Sequence, residues 1–143
     1  FITATGGLTV KSKFTLKDCP PIDILIIPGG IGTRVLLENK NILKWLTSQK
    51  KLSVIGSICT GSLLLAKAGL LKGKKATTHW GALKLLKKIS PGTHVIKNKK
   101  YVFDTYYTSA GVSSGINMSL YIVKKLMGET IADNVAKYID FKY

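Results

Sequence analysis

Hydrophobic positions along this chain follow two alternating spacings. Short runs of β-branched and apolar residues recur, above all at 22–27 and 52–58, and between them apolar residues fall every three or four positions. The first pattern is that of a strand buried on both faces, the second that of a helix with one apolar stripe. Gly, Pro or Asn stands at the joins, so the order of elements predicts an α/β domain with a mainly parallel sheet. Residues 2–5 and 8–10 predict short strands or a hairpin around Gly6-Gly7, followed by a connector through Cys19-Pro20-Pro21. Pro28-Gly29-Gly30 ends the strand at 22–27 in a turn that can expose backbone amides. One helix is expected to carry Leu36, Leu37, Ile42, Leu43, Trp45 and Leu46 and to close before Lys50-Lys51. Residues 62–68 predict a helix stopped by Gly69, 75–78 a short strand, and Ala82, Leu83, Leu85, Leu86 and Ile89 a helix stopped by Pro91-Gly92. Strands at 95–96, 101–103 and 106–108 form a late meander, and two final helices, about 114–127 and 130–138, are split at Gly128.

Size and charge narrow the function classes. A chain of 143 residues is expected to form one domain, 1–143, that buries about 70% of its unfolded surface. Its 22 Lys+Arg against 7 Asp+Glu give a net charge of +15, yet 45% of residues are hydrophobic, which argues against a disordered basic tail. No apolar run approaches the roughly 18 residues of a membrane span, so no membrane partner is expected. Arg34 is the one arginine; the lysines are scattered in pairs such as Lys50-Lys51, Lys74-Lys75 and Lys99-Lys100. A nucleic-acid reader favours Arg, concentrated on one element and interleaved with aromatics. The charge therefore reads as a solvated lysine surface with no specific nucleic-acid partner, salt-sensitive polyanion binding being the alternative. Cys19 and Cys59 lie in dissimilar surroundings and no stretch reads as a signal peptide, so a reducing cytoplasm is expected rather than a disulfide.

Candidate chemistry centres on Val54-Ile55-Gly56-Ser57-Ile58-Cys59-Thr60-Gly61-Ser62, a buried strand running straight into a helix with Cys59 at the corner. Ser57 and Gly61 supply the small residues that a tight strand-to-helix turn needs two positions either side of a strained nucleophile. At such a corner Cys59 faces the free N–H groups of the following helix, whose partial positive charge favours thiolate over thiol. The bland alternative is a small buried hydrophobe at a strand end. The Pro28-Gly29-Gly30 turn ends a neighbouring strand on the carboxyl edge, where open α/β sheets place their sites. Its amides, with that of Thr60, are candidates for an oxyanion-type hole. His79 is open between two roles, a partner or pocket donor for Cys59 and a capping or core histidine. His94 reads as a surface residue and Asp104 as a turn residue that alternatively orders a base. Two histidines at these spacings do not make a zinc site, so no metal is expected. The small-residue loop from Thr108 to Asn117 lacks phosphate-loop spacing and reads as packing against the sheet, with one rim of the pocket.

Four segments, in order and spread over most of the chain, carry a resemblance: Asp23-Ile24-Leu25-Ile26-Ile27-Pro28-Gly29-Gly30, Ser57-Ile58-Cys59-Thr60-Gly61-Ser62, Ala76-Thr77-Thr78-His79-Trp80, and Thr108 through Ile116. Together they resemble the ThiJ/PfpI family of the class I glutamine amidotransferase-like superfamily, in the branch of isonitrile hydratases and the amidase-like domains of AraC-type regulators. The resemblance implies a flavodoxin-like three-layer sandwich, a homodimer, a nucleophilic Cys59 and no cofactor. Many protease-like or glyoxalase-like members carry histidine directly after the nucleophile; Thr60 stands there here, which favours the isonitrile-hydratase branch. That branch adds water to a small electrophile, an isonitrile, giving an N-substituted formamide. Thr60 is then expected to orient the reaction, and Gly29, Gly30, Ile31, His79 and Ser113 to line the oxyanion site or pocket. A ligand- or redox-sensing domain built on Cys59 is the competing expectation. In the family an acid from the first strand-helix region moves the proton, and no residue here matches it. Residues 1–10 resemble the second strand, so the first strand and helix are expected upstream of Phe1, since an open sheet without a central strand would expose long unpaired edges.

Overall fold

A computed structural model describes residues 1–142. Four strands make its main sheet: β3 (Ile24–Ile27), β4 (Val54–Ile58), β7 (Tyr101–Phe103) and β8 (Tyr107–Ser109), in the order β3-β4-β8-β7. β4 is central and parallel to both neighbours, with Ile27 opposite Ser57 and Ile58 opposite Ser109, while β7 closes the far edge antiparallel to β8. Two shorter pairs stand apart from it: β1 (Ile2–Thr3) with β2 (Thr9–Val10), and β5 (Lys75–Ala76) with β6 (His94–Val95).

Alternation along β4 divides the core. Ile55 joins Ile27, Leu46, Leu63, Leu65, Leu71 and Leu86 beneath the helices α2 (Lys40–Ser48), α3 (Gly61–Lys67) and α4 (Leu83–Ile89). Val54 points the other way, with Tyr107, Met118 and Ile122, under α5 (Ser114–Met127), on which α6 (Glu129–Tyr138) packs. Helices thus cover both faces, the three-layer arrangement that the alternating pattern of the sequence predicts. On the second face β3 forms the sheet's edge with Ile24 and Ile26 exposed.

Two expectations are corrected. The apolar stripe from Leu36 to Leu46 is two helices, α1 (Gly32–Leu36) and α2, because the Asn39 side chain accepts the N–H groups of Asn41 and Ile42 and begins a new helix. Residues 1–10 are not a strand of the main sheet. Gly6 and Gly7, at φ +95° and +88°, fold them instead into a two-stranded antiparallel hairpin, as the spacing around Gly6-Gly7 predicts.

Ser57 is fully buried on β4 and its hydroxyl has no hydrogen-bond partner among the described residues. An unpaired buried hydroxyl costs about 1–3 kcal/mol, and removing it takes that penalty away. Ser57→Ala should therefore match or exceed the parent in urea unfolding, by up to about 1 kcal/mol; a loss above that size would show that the hydroxyl has a partner in solution.

Candidate active site

Strand β4 ends at Ile58 and helix α3 starts at Gly61, which leaves Cys59 and Thr60 to make the corner. Cys59 has φ +55°, a left-handed conformation that costs a side-chain-bearing residue about 1–2 kcal/mol. Its surroundings over-determine that conformation. The Cys59 N–H donates to the Ser109 carbonyl at 3.1 Å, continuing the β4–β8 ladder, and its own carbonyl accepts from Thr78 Oγ1 at 2.9 Å and Ser62 Oγ at 3.2 Å. Both peptide groups being held, the half-buried side chain is presented at the carboxyl edge of the sheet. Both Cys59 and Cys19 are free thiols.

The turn after β3 lies directly against this corner. A Cβ on Gly29 would stand 2.8 Å from Cys59 Cβ, from the Ile58 carbonyl and from the Thr60 nitrogen, so only glycine allows the two turns to touch. On the other side of the corner a Cβ on Gly115 would press within 3.0 Å of Ile58, which is how α5 comes close to the end of β4.

Thr60 is 5% exposed and its hydroxyl is turned to the Gly30 loop. It accepts the Gly30 N–H at 2.9 Å and lies 3.0 Å from the Thr33 hydroxyl and 3.2 Å from the Gly30 carbonyl, which also accepts from Thr33 at 2.7 Å. The geometry thus makes the Thr60 hydroxyl a loop anchor, and it removes the Gly30 amide from the oxyanion donors that the sequence suggested. The Thr60 N–H has no acceptor among the described residues. Thr60→Val should cost about 1–3 kcal/mol in urea unfolding by orphaning the Gly30 amide, with Thr60→Ser close to the parent; equal losses in both would show that shape, not the hydrogen bond, matters.

The other candidates are distributed around this corner. Ile31, 73% exposed, stands at the start of α1. Thr78 binds the Cys59 carbonyl, which brings the adjoining His79 to the same edge, but His79 Nδ1 accepts the Gly81 N–H at 3.2 Å and caps a 3-10 turn, Trp80–Ala82. No hydrogen bond joins His79 to Cys59 among the described residues. Ser113 is exposed at the start of α5, and its side chain caps nothing. Asp104 accepts from the Lys75 amide at 2.9 Å, which holds its carboxyl below the ordinary value, so it ties the β7–β8 turn to β5 instead of ordering a base. Asp18, Glu38 and Glu129 are likewise engaged away from the corner, with Thr15, Lys67 and Lys124.

Sequence reasoning passed over Thr33 and Thr78, whose hydroxyls fix the loop and the elbow. The signal for Thr78 was its position at the end of a predicted strand one residue before His79; nothing local marks Thr33. Beside the elbow, Thr77, Thr78, Trp80, Asn98, Ala110 and Ser114 line a cleft of about 280 Å³.

A cysteine at a strained strand-to-helix corner, on the carboxyl edge of a helix-covered sheet, has the backbone geometry of a nucleophile elbow in an α/β protein. The chain belongs to the DJ-1/PfpI family, which it matches over residues 1–125, and its fold is the flavodoxin-like one of that family. It is 35% identical over 141 residues to an isonitrile hydratase of Pseudomonas putida, which covers 98% of this chain and 61% of that protein. The crystal structure of a ThiJ/PfpI family protein from Pseudomonas syringae matches with a TM-score of 0.90 at 31% identity, over 99% of this chain and 59% of that one. The HTH-type transcriptional regulator CdhR of Pseudomonas aeruginosa is 28% identical over 137 residues, 95% of this chain and 40% of the regulator. The chain therefore spans about three-fifths of the length of the first two relatives. Among the described residues no helix is long and apolar enough to cross a membrane.

Proposed function

We propose that this protein hydrates an isonitrile or a related small electrophile, with Cys59 as nucleophile. The carrying observation is the left-handed Cys59, held by Ser109, Thr78 and Ser62 so that its thiol faces the carboxyl edge. The reaction balances as R–N≡C plus water giving R–NH–CHO. The sulfur forms a bond to the terminal carbon, which takes up a proton, leaving a thioimidate on Cys59. Water then adds to that carbon, nitrogen gains a proton, and the C–S bond breaks to release the formamide and restore the thiolate. Proton transfer calls for an acid, and the described carboxylates with named partners are engaged away from the corner. The Thr60 N–H, which has no acceptor among the described residues, is the donor proposed to meet charge developing on the substrate. Similarity to the hydratase supports this reading; the homodimer proposed here rests on the family resemblance, and the cytoplasmic setting on the two free cysteines.

Similarity to CdhR supports a second reading, a sensing domain in which Cys59 oxidises reversibly or the pocket binds a metabolite. One experiment separates them: formamide production from a simple alkyl isonitrile by the protein and by Cys59→Ala. Turnover in the parent alone supports the hydratase. No turnover in either, with clean sulfenate formation on Cys59 under peroxide, supports the sensor.

A further inference from the structure

Trp80 is 78% exposed, yet its backbone is fixed. The Gly81 N–H donates to His79 Nδ1 at 3.2 Å and the Ala82 N–H to the His79 carbonyl at 2.8 Å, while the imidazole lies against the indole with centroids 5.2 Å apart. A large apolar ring held out to solvent by a built turn calls for something to cover it.

Behind the indole, on the α4 side, is a groove of about 530 Å³ lined by Trp80, Leu83, Val95, Lys84, Lys87 and Lys97. That volume falls within the range of small-molecule sites, roughly 300–1,000 Å³. Leu83 and Val95 are half-buried and give it an apolar floor. Lys84 and Lys87, three residues apart, lie on one face of α4, and Lys97 follows β6. The Lys87 ammonium is anchored by the carbonyls of Pro91 at 2.7 Å and Thr93 at 3.1 Å. No carboxylate pairs with any of the three lysines among the described residues. Three lysines thus line one groove with no carboxylate on it among the described residues, and an anion seated there meets a field of one sign.

We infer that this groove binds a small aromatic carboxylate, its ring stacked on Trp80 over Leu83 and Val95 and its charge set between Lys84 and Lys97. Apolar floor and cationic rim select together. A neutral aromatic gains nothing from the lysines, a simple inorganic anion leaves the indole and the floor wet, and a cation is repelled. The inference stands on Trp80 and the lysines and does not depend on what Cys59 does.

Calorimetric titration of the protein with naphthalene-2-carboxylate and with the neutral naphthalene-2-carboxamide tests it. The carboxylate should bind about tenfold or more tightly than the amide at low ionic strength, and the gap should shrink in high salt. The double variant Lys84→Ala/Lys97→Ala should bind both compounds alike, and Trp80→Ala should weaken both. Equal binding of the two compounds by the parent, absence of heat from either up to millimolar concentration, or a preference that survives loss of both lysines would overturn it. So would an acidic peptide that displaces the naphthoate at equal concentration, which would make the groove a protein-docking surface.

Discussion

Cys59→Ala should lower kcat/KM for isonitrile hydration by about 10⁴-fold or more, because the nucleophile that divides the reaction into two steps is gone. Cys59→Ser should fare little better, since an alcohol at this corner has no base among its described contacts to activate it. Stability should move independently of activity. At φ +55° any side chain strains the backbone, and glycine does not. Cys59→Gly should therefore be as inactive as Cys59→Ala yet more resistant to urea, by about 1 kcal/mol. Formamide assay and urea unfolding of the three variants read the two effects apart. Activity retained in Cys59→Ala would refute the mechanism, and a glycine variant no more stable than alanine would refute the strain.

Gly61→Ala should be the most damaging single methyl in the elbow. Its Cβ would stand 2.3 Å from the Ile27 carbonyl oxygen and 2.9 Å from that of Pro28, and both obstacles are backbone that cannot swing aside. Relief requires α3 or the end of β3 to move, at about 3 kcal/mol or more, which for a chain of this size lowers Tm by roughly 10 °C. Gly111→Ala is the matched control. Its Cβ would meet nothing nearer than Ser114 Oγ at 4.0 Å, so a change within about 0.5 kcal/mol is expected. Thermal melts of the two variants side by side would decide it, and similar melting temperatures would mean that the Gly61 contact is relieved at little cost.

The same close approach explains why the elbow was legible before the fold was known. Steric demands at a strand-to-helix corner are local, so Gly61 and the run Val54 to Ile58 announce it within nine residues of sequence. The Pro28-Gly29-Gly30 turn was equally plain as a turn, but its closeness to Cys59 depends on the parallel pairing of β3 with β4, which only the topology supplies. What stayed hidden is long-range or side-chain specific. That the Thr60 hydroxyl takes up the Gly30 amide, that Thr78 reaches the Cys59 carbonyl, and that His79 caps its own turn each turn on hydrogen bonds that no periodicity reports. The split between α1 and α2 is legible in principle, since Asn39 ahead of Lys40-Asn41-Ile42 is an N-cap signal, but the leucine spacing runs on across it and masks the break.

The pairing of β4 with β8 also sets an order of events during synthesis. Ser57 and Ser109 meet across the sheet although 52 residues apart, and the Ser109 carbonyl is what receives the Cys59 amide. On the ribosome β3 and β4 emerge long before β8, so the strand leading to Cys59 waits with one edge open, and contacts of such separation form slowly. The thiol corner can take its final shape only after the last strand docks. In refolding from urea, the accessibility of Cys59 to a thiol reagent should therefore settle to its native value late, after the helical signal of α2 and α3 has returned.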